Sequence, residues 1–296
     1  MKHPAHVKAI MMALLVTVLW STSWVLIKIG LRNDLPALSF AGMRYGMAFL
    51  FLVPAVFINP SERAILKSLT RRDWLTLAGL GVVIYTFAQS AQFISLAYLP
   101  SAMVSLILNL SPAAVGMMSV LWWRERPTHL QWFGISLSLA GTLLYFLPIA
   151  EGKLALVGII AALVALLANS ASTLMGRHIN LKSHLSPLTI TFVSMGIGSG
   201  LMLLSGGLLY GFGNPSLTDW GIIAWMALVN TAFAYTIWNQ TQRTLTPVES
   251  TVINNLMMPL IAFFAWIFLG ETLSAKEIWG LVLVGAGVLI VQGYKV

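Results

Sequence analysis

Ten polar or aromatic residues stand at depths where an apolar chain has little use for them: Trp20, Ser21, Tyr85, Gln89, Gln92, Asn109, Asn230, Tyr235, Asn254 and Asn255. Their chemistry is recognition rather than reaction. A carboxamide donates and accepts hydrogen bonds without ionising, and indole and phenol rings pair a broad apolar face with one polar tip. Tyr85, Gln89 and Gln92 share one broad face at helical spacing. Such groups suit the ammonium, carboxylate or hydroxyl groups of a small polar solute. The rings favour solutes with an apolar body, amino acids among them. In a membrane the same side chains also act as glue between helices or as plain packing, and the sequence leaves both uses open. Asn169 and Ser170 are weaker candidates, lying nearer one surface.

The patterns that would mark an enzyme do not occur. The chain has no glycine-lysine phosphate loop, no His-Glu-x-x-His pair and no Gly-x-Ser-x-Gly elbow. Its five histidines (His3, His6, His129, His178 and His184) fall at helix ends or in connections. His178 and His184 have no third ligand nearby, so no metal site is expected. Without cysteine there is no thiol chemistry and no disulfide framework. The expectation is a non-enzyme without a cofactor. All nine acidic residues lie in connections or near helix ends, so no mid-depth carboxylate offers itself as a proton relay. Glu249 falls in the first turn of a helix, where a carboxylate complements the positive helix end. Glu125 and Glu271 close helices and are expected to cap or tie the next hairpin. Arg44 is the one cation well inside an apolar run, and a structural partner is expected for it because an unpaired buried charge is costly.

These residues need membrane helices to hold them. The chain is 58% hydrophobic and 9% charged, too little charge to cover a soluble protein of 296 residues. Apolar stretches long enough to cross a bilayer run from end to end, at 9–31, 36–58, 74–97, 100–123, 128–149, 154–177, 187–211, 219–241, 247–269 and 275–293. Alternate connections divide the basic residues unevenly. One side holds Lys2, Lys8, Arg63, Lys67, Arg71, Arg72, Arg124, Arg126, Arg177, Lys182, Arg243 and Lys295, and the other only Lys28, Arg32, Lys153 and Lys276. The positive-inside rule makes the first side cytoplasmic and puts both termini there. Topology thus accounts for the net charge of +8, and no basic cluster with interleaved aromatics points to nucleic acid. Trp74, Trp122, Trp123, Trp132, Trp220 and Trp279 fall at predicted helix ends, where indole belongs in the interfacial belt.

Pro100 and Pro112 recur 147 residues later as Pro247 and Pro259. Leu-Pro-Ser-Ala-Met-Val-Ser (99–105) lies over Thr-Pro-Val-Glu-Ser-Thr-Val (246–252). One residue of slippage after the second proline brings Glu125 over Glu271, Gly134 over Gly280 and Gly141 over Gly287. Residues 1–150 and 151–296 therefore read as two five-helix halves. Five is odd, so the halves cross in opposite senses, an inverted-topology repeat with its solute site near the midplane. Helical rise puts Asn109 and Asn255 about 12–14 Å from opposite faces, near the middle of a core about 30 Å thick. Pro112 and Pro259 are expected to free the carbonyls of Leu108 and Asn255 beside them.

The chain resembles the EamA-like ten-helix members of the drug/metabolite transporter superfamily over essentially its whole length. The resemblance rests on Leu-Trp-Ser-Thr-Ser-Trp-Val-Leu-Ile-Lys (19–28), on Pro36 followed by Phe40-Ala-Gly-Met-Arg44, and on Pro112 with Arg-Glu-Arg (124–126). It continues in Ala-Tyr-Thr-Ile-Trp-Asn (234–239) and Leu-Gly-Glu-Thr-Leu (269–273). Arg124 departs from the pattern, standing where a glycine is common. The resemblance implies an all-α exporter of small metabolites, including amino acids, in a bacterial inner membrane. The absence of a mid-depth acid favours facilitated or exchange transport by alternating access. A proton-coupled drug efflux protein using Glu249 and a lipid flippase are the alternatives. The expected partners are a small-molecule solute and the lipid bilayer, and a monomer is compatible with both.

Overall fold

The computed structural model describes residues 4–32, 35–111, 114–115, 117–118, 129–146, 153–182, 185–241, 244–245, 253–254 and 256–293. Hydropathy explains the long elements directly. Helices α1 (Pro4–Leu31), α2 (Ala37–Ile58), α4 (Arg71–Tyr98), α7 (Lys153–Lys182) and α8 (Pro187–Tyr210) follow the predicted spans. So does α9, which runs without a break through Leu217–Trp225, Met226–Phe233 and Ala234–Thr241. Each of these six contains an apolar stretch long enough to cross a membrane. The remaining four predicted spans hold α5 (Ser101–Leu108), α6 (His129–Phe146), α10 (Met257–Leu269) and α11 (Ala275–Gly293). The described residues form an all-helical integral membrane protein. Large side chains such as Leu143, Leu154, Leu204, Leu208 and Trp266 stand exposed on its outside, as lipid contact requires. Trp74, Trp132, Trp220 and Trp279 are exposed near the starts of their helices. Trp122 and Trp123 lie outside the described residues.

One helix, α3 (Pro60–Ser68), was not expected. Its sequence carries the punctuation of a helix all the same. The Asn59 side chain accepts from the Ser61 amide, Pro60 takes the first turn, Glu62 lies at the positive end and Lys67 at the negative end.

Glycine brings two pairs of helices close together. In α6 and α11, a Cβ on Gly141 would meet the Gly280 carbonyl, and a Cβ on Gly280 would meet that of Gly141. Gly287 faces the Gly134 carbonyl in the same way. In α2 and α8, Gly42 abuts the Leu203 backbone and Gly206 abuts Ser39. Small residues let membrane helices approach where apolar burial alone gives no preference over lipid.

The ends of the bundle are tied by polar groups. At one end the Ser39 hydroxyl donates to the Gly211 carbonyl, Arg32 Nη2 donates to the Leu269 carbonyl at 3.4 Å, and both Glu271 carboxylate oxygens accept from the Ser101 amide at 3.0 and 3.2 Å. At the other end of α2, Glu62 accepts from the hydroxyls of Ser186 and Thr189, the latter at 2.7 Å. Glu271 thus caps α5, not the hairpin that follows it in sequence. Gly270 makes this geometry available: its φ of 69° closes α10 in the left-handed region and turns the chain back. Glu125 lies outside the described residues.

The two proline-bearing segments break alike. The Leu110 amide reaches only to Ile107, at 3.1 Å, and Ala114 resumes the helix by donating to Leu110. Leu256 reaches Ile253 at 3.1 Å, and Leu260 resumes by donating to Leu256. The spacing between these breaks is 146, so the one-residue slippage falls before the break and not after the second proline. Pro259 is the third residue of α10, in the first turn, where a missing N–H costs nothing. The helix restarts there, so Pro259 does not kink a continuous one. Pro112 lies outside the described residues, and the Leu108 carbonyl expected to be freed near it accepts from the Ser111 hydroxyl at 2.7 Å.

Candidate functional site

Five aromatic rings from four helices form a continuous line. Trp238 and Trp20 have centroids 5.1 Å apart, Trp20 and Tyr235 5.2 Å, Tyr235 and Tyr85 6.4 Å, and Tyr85 and Tyr45 5.4 Å. The Tyr45 hydroxyl donates to Gln89 Oε1 at 2.6 Å. Tyr45 and Tyr85 are buried, whereas Trp20, Tyr235 and Trp238 are half-buried. Offset and tilted rings of this kind attract one another and leave polar tips for hydrogen bonding.

Two π-helical stretches aim these side chains. Val82–Gln89 in α4 carries Tyr85 and Gln89, and Met226–Phe233 in α9 carries Asn230 and Thr231. A π turn adds a residue to the turn, rotates the side chains beyond it and opens the backbone ladder, and it is frequent at functional sites. Here the Thr231 hydroxyl donates five residues back, to the Met226 carbonyl at 2.9 Å, and so presents its lone pair outward. Arg44 Nε takes that lone pair, donating to Thr231 Oγ1 at 2.9 Å.

Arg44 is 3% exposed. Its guanidinium carbon lies 5.1 Å from the Tyr45 ring centroid and 5.8 Å from that of Phe93, and it is within electrostatic reach of the Tyr235 phenol. Two cation–π contacts contribute about 0.5–2 kcal/mol each, and a hydrogen bond from a charged donor about 1.5–3 kcal/mol. Removing the charge from water costs several kilocalories per mole, which these contacts offset in part. Among the described residues no carboxylate reaches Arg44. The described acids all serve helix starts: Glu62 and Glu271 as above, and Asp73, Asp219 and Glu277 in reciprocal caps with Thr70, Ser216 and Ser274.

The other expected residues are distributed as follows. Asn230 is fully buried and spends its amide on α1, donating to the Leu19 carbonyl and to Thr22 Oγ1, while its own carbonyl accepts from Trp20 Nε1 at 3.1 Å. Ser21 is buried and donates to the Thr17 carbonyl of its own helix. Gln92 is buried one turn beyond Gln89. Asn109 donates to its own Ser105 carbonyl at the break after α5, a segment that packs through Ile107, Leu110 and Ala114 on Ala162 and Leu166 of α7. It does not join the line of rings. Asn254 is half-buried, with its Oδ1 sealed and without a hydrogen-bond partner. Asn255 and Glu249 lie outside the described residues. Tyr45, Thr231 and Trp238 were missed from sequence. Trp238 follows Tyr235 by one helical turn and was legible on that spacing.

The sequence profile of the EamA-like transporter family matches residues 7–147 and again residues 156–292. The chain belongs to the EamA-like transporter family. It is 27% identical to a probable amino-acid metabolite efflux pump of Salmonella typhimurium, over 96% of this chain and 95% of that protein. It is 26% identical to a probable amino-acid metabolite efflux pump of Escherichia coli K12, over 94% and 93%. An uncharacterized transporter of Archaeoglobus fulgidus is 26% identical over 88% of each chain. A solved crystal structure superposes with a TM-score of 0.66 over 96% of both chains at 15% identity, a likeness of fold. The line of rings is therefore the candidate solute site of an EamA-like transporter.

Proposed function

We propose that this transporter exports small metabolites, amino acids foremost, across a bacterial inner membrane by alternating access. The observation that carries the reading is the line of five rings closed by Gln89, drawn from α1, α2, α4 and α9 and half-buried at Trp20, Tyr235 and Trp238. Ring faces accept an ammonium group and an apolar side chain alike. The names carried by the Salmonella and Escherichia relatives point the same way. Asn109 and Asn254, beside the breaks of the two proline-bearing spans, and Asn255, the neighbour of Asn254 in sequence, stay in the proposal as further solute contacts.

The frame is ten spans in two inverted halves, residues 1–150 and 151–296. Support comes from the separate family match to each half and from the reciprocal glycine contacts. Gly134 equates with Gly280 and Gly141 with Gly287, and each touches the counterpart of the other, the pattern a twofold axis generates. With both termini cytoplasmic, Arg32, Ser101 and Glu271 gather outside, and Glu62, Ser186 and Thr189 inside, as the ten-span count requires. Transport runs down the solute gradient or by exchange, because the described carboxylates are all committed to helix starts. A lipid flippase needs a polar groove open to the bilayer. The groove of about 370 Å³ between α4 and α7 is instead lined by Phe87, Ile94, Val157, Ile160 and Val164, with only the hydroxyls of Thr86 and Ser90.

Counterflow in proteoliposomes tests this. Vesicles preloaded with unlabelled amino acids are expected to take up the labelled forms, and vesicles preloaded with sugars or cationic drugs are not. Exchange of drugs without exchange of any amino acid would overturn the reading.

A further inference from the structure

We infer that Arg44 is the anchor for a carboxylate on the transported solute, with Thr231 as the residue that orients it. The inference deepens the function proposed above and rests on the same site. A guanidinium carries five N–H bonds, and one of them, at Nε, is taken by Thr231. The two terminal nitrogens have no protein partner among the described residues. Neither are they among the sealed and unpartnered polar atoms, which are Ser90 Oγ, Ser101 Oγ, Asn230 Oδ1 and Asn254 Oδ1. They are therefore neither partnered nor sealed, although the residue as a whole is buried.

What those nitrogens would bind follows from charge and shape. The guanidinium carbon lies over the rings of Tyr45 and Phe93, and among the described residues its terminal fork has no hydrogen-bond partner. A planar fork of parallel N–H bonds matches the two oxygens of a carboxylate. No described acid supplies such a group, and in this proposal the solute brings it. Thr231 holds Nε by accepting from it while donating to Met226, which fixes the guanidinium plane before the solute binds. The line of rings begins at Tyr45, the residue beside Arg44, and runs to the half-buried Trp20 and Trp238. A solute with its carboxylate on Arg44 would lay an ammonium group or an apolar side chain along those rings. The class is a small monocarboxylate with an apolar body, including zwitterionic amino acids.

The experiment pairs acids with their amides in thermal-shift titrations of the purified full-length protein. The probes are L-phenylalanine, L-methionine and 3-phenylpropionate, each against its carboxamide. Wild type is expected to bind the acids on the order of tenfold to a hundredfold more tightly than the amides, the range of a charge-assisted hydrogen-bonded pair. Arg44→Gln should bring each acid to within about threefold of its amide, Arg44→Lys should keep part of the preference, and Thr231→Val should reduce it with the charge intact. Amides that bind wild type as tightly as acids overturn the anchor, as does a panel in which no carboxylate binds. An Arg44→Gln variant that keeps the full preference overturns it too. If that variant does not fold, the wild-type comparison and Arg44→Lys decide alone. Binding of 3-phenylpropionate without either amino acid upholds the anchor and refutes the amino-acid reading. Exchange of amino acids with equal binding of their amides does the reverse.

Discussion

Gly141→Ala tests the contact between α6 and α11, which in the proposed frame joins the two halves. A Cβ at this position would lie 2.7 Å from the Gly280 carbonyl, 2.8 Å from Leu283 Cβ and 2.8 Å from the Val284 nitrogen. Two of the three atoms are backbone, so no side chain can swing aside. Ordinary contact begins near 3.4 Å, so α6 and α11 must part by roughly 0.6 Å, and the loss of packing falls at the upper end of the 1–3 kcal/mol typical of overpacked sites. Alanine returns about 1 kcal/mol of helix propensity, leaving a net loss of about 2 kcal/mol. At roughly 2–4 °C per kcal/mol, the melting temperature in detergent should fall by about 4–8 °C. Gly200→Ala in α8 is the control, because nothing lies within 4 Å of its Cβ, and it should melt at or above the wild-type temperature. The assay is thermal unfolding of both purified variants, with counterflow measured per folded molecule. If Gly141→Ala melts with Gly200→Ala, the two halves do not meet at this glycine and the reciprocal-contact argument falls.

Three further outcomes are expected. Cysteines replacing Lys67 and Lys153 should label with membrane-impermeant reagent from opposite sides, the first only from the cytoplasm; labelling from one side removes the inverted repeat. An imposed pH gradient should not concentrate a zwitterionic amino acid in proteoliposomes, because no described acid lies at mid-depth, and accumulation of several-fold would make Glu249 the first residue to neutralise. Asn230→Ala should lower stability by about 1–2 kcal/mol through two lost interhelical hydrogen bonds, with solute affinity per folded molecule unchanged. A stable variant with weakened affinity would return Asn230 to the site.

The sequence shows the long helices because transfer into lipid is a local property. The predicted span 36–58 meets Ala37–Ile58, and 219–241 meets α9, almost residue for residue. Tyr85, Gln89 and Tyr235 were legible because polar and aromatic side chains at depth need a reason. The π turns were not. Neither Val82–Gln89 nor Met226–Phe233 contains proline or glycine, and the widened turns sit where neighbouring helices meet them. One visible case is the bond from Arg44 to Thr231. Sequence alone likewise could not separate glue from site among the amides, since Asn230 and Gln89 differ only in what stands opposite them.

The placement of charge then bears on what the protein selects. Every described carboxylate neutralises the positive start of a helix: Glu62 and Asp73 at one end of the bundle, and Glu271, Asp219 and Glu277 at the starts of α5, α9 and α11. Lys28 and Arg32 line a cavity of about 220 Å³ with Glu271 at the bundle end, leaving Arg44 as the one described charge at mid-depth. Buried, and with no counter-charge among the described residues, its field is weakly screened. If the ring line is the solute site as proposed, anionic groups should be drawn toward its Tyr45 end and a solute bearing only positive charge repelled there. Rings alone would admit cationic drugs and amino acids alike. On this account the single arginine, held by a threonine on a π turn, turns an aromatic surface toward solutes that carry a carboxylate.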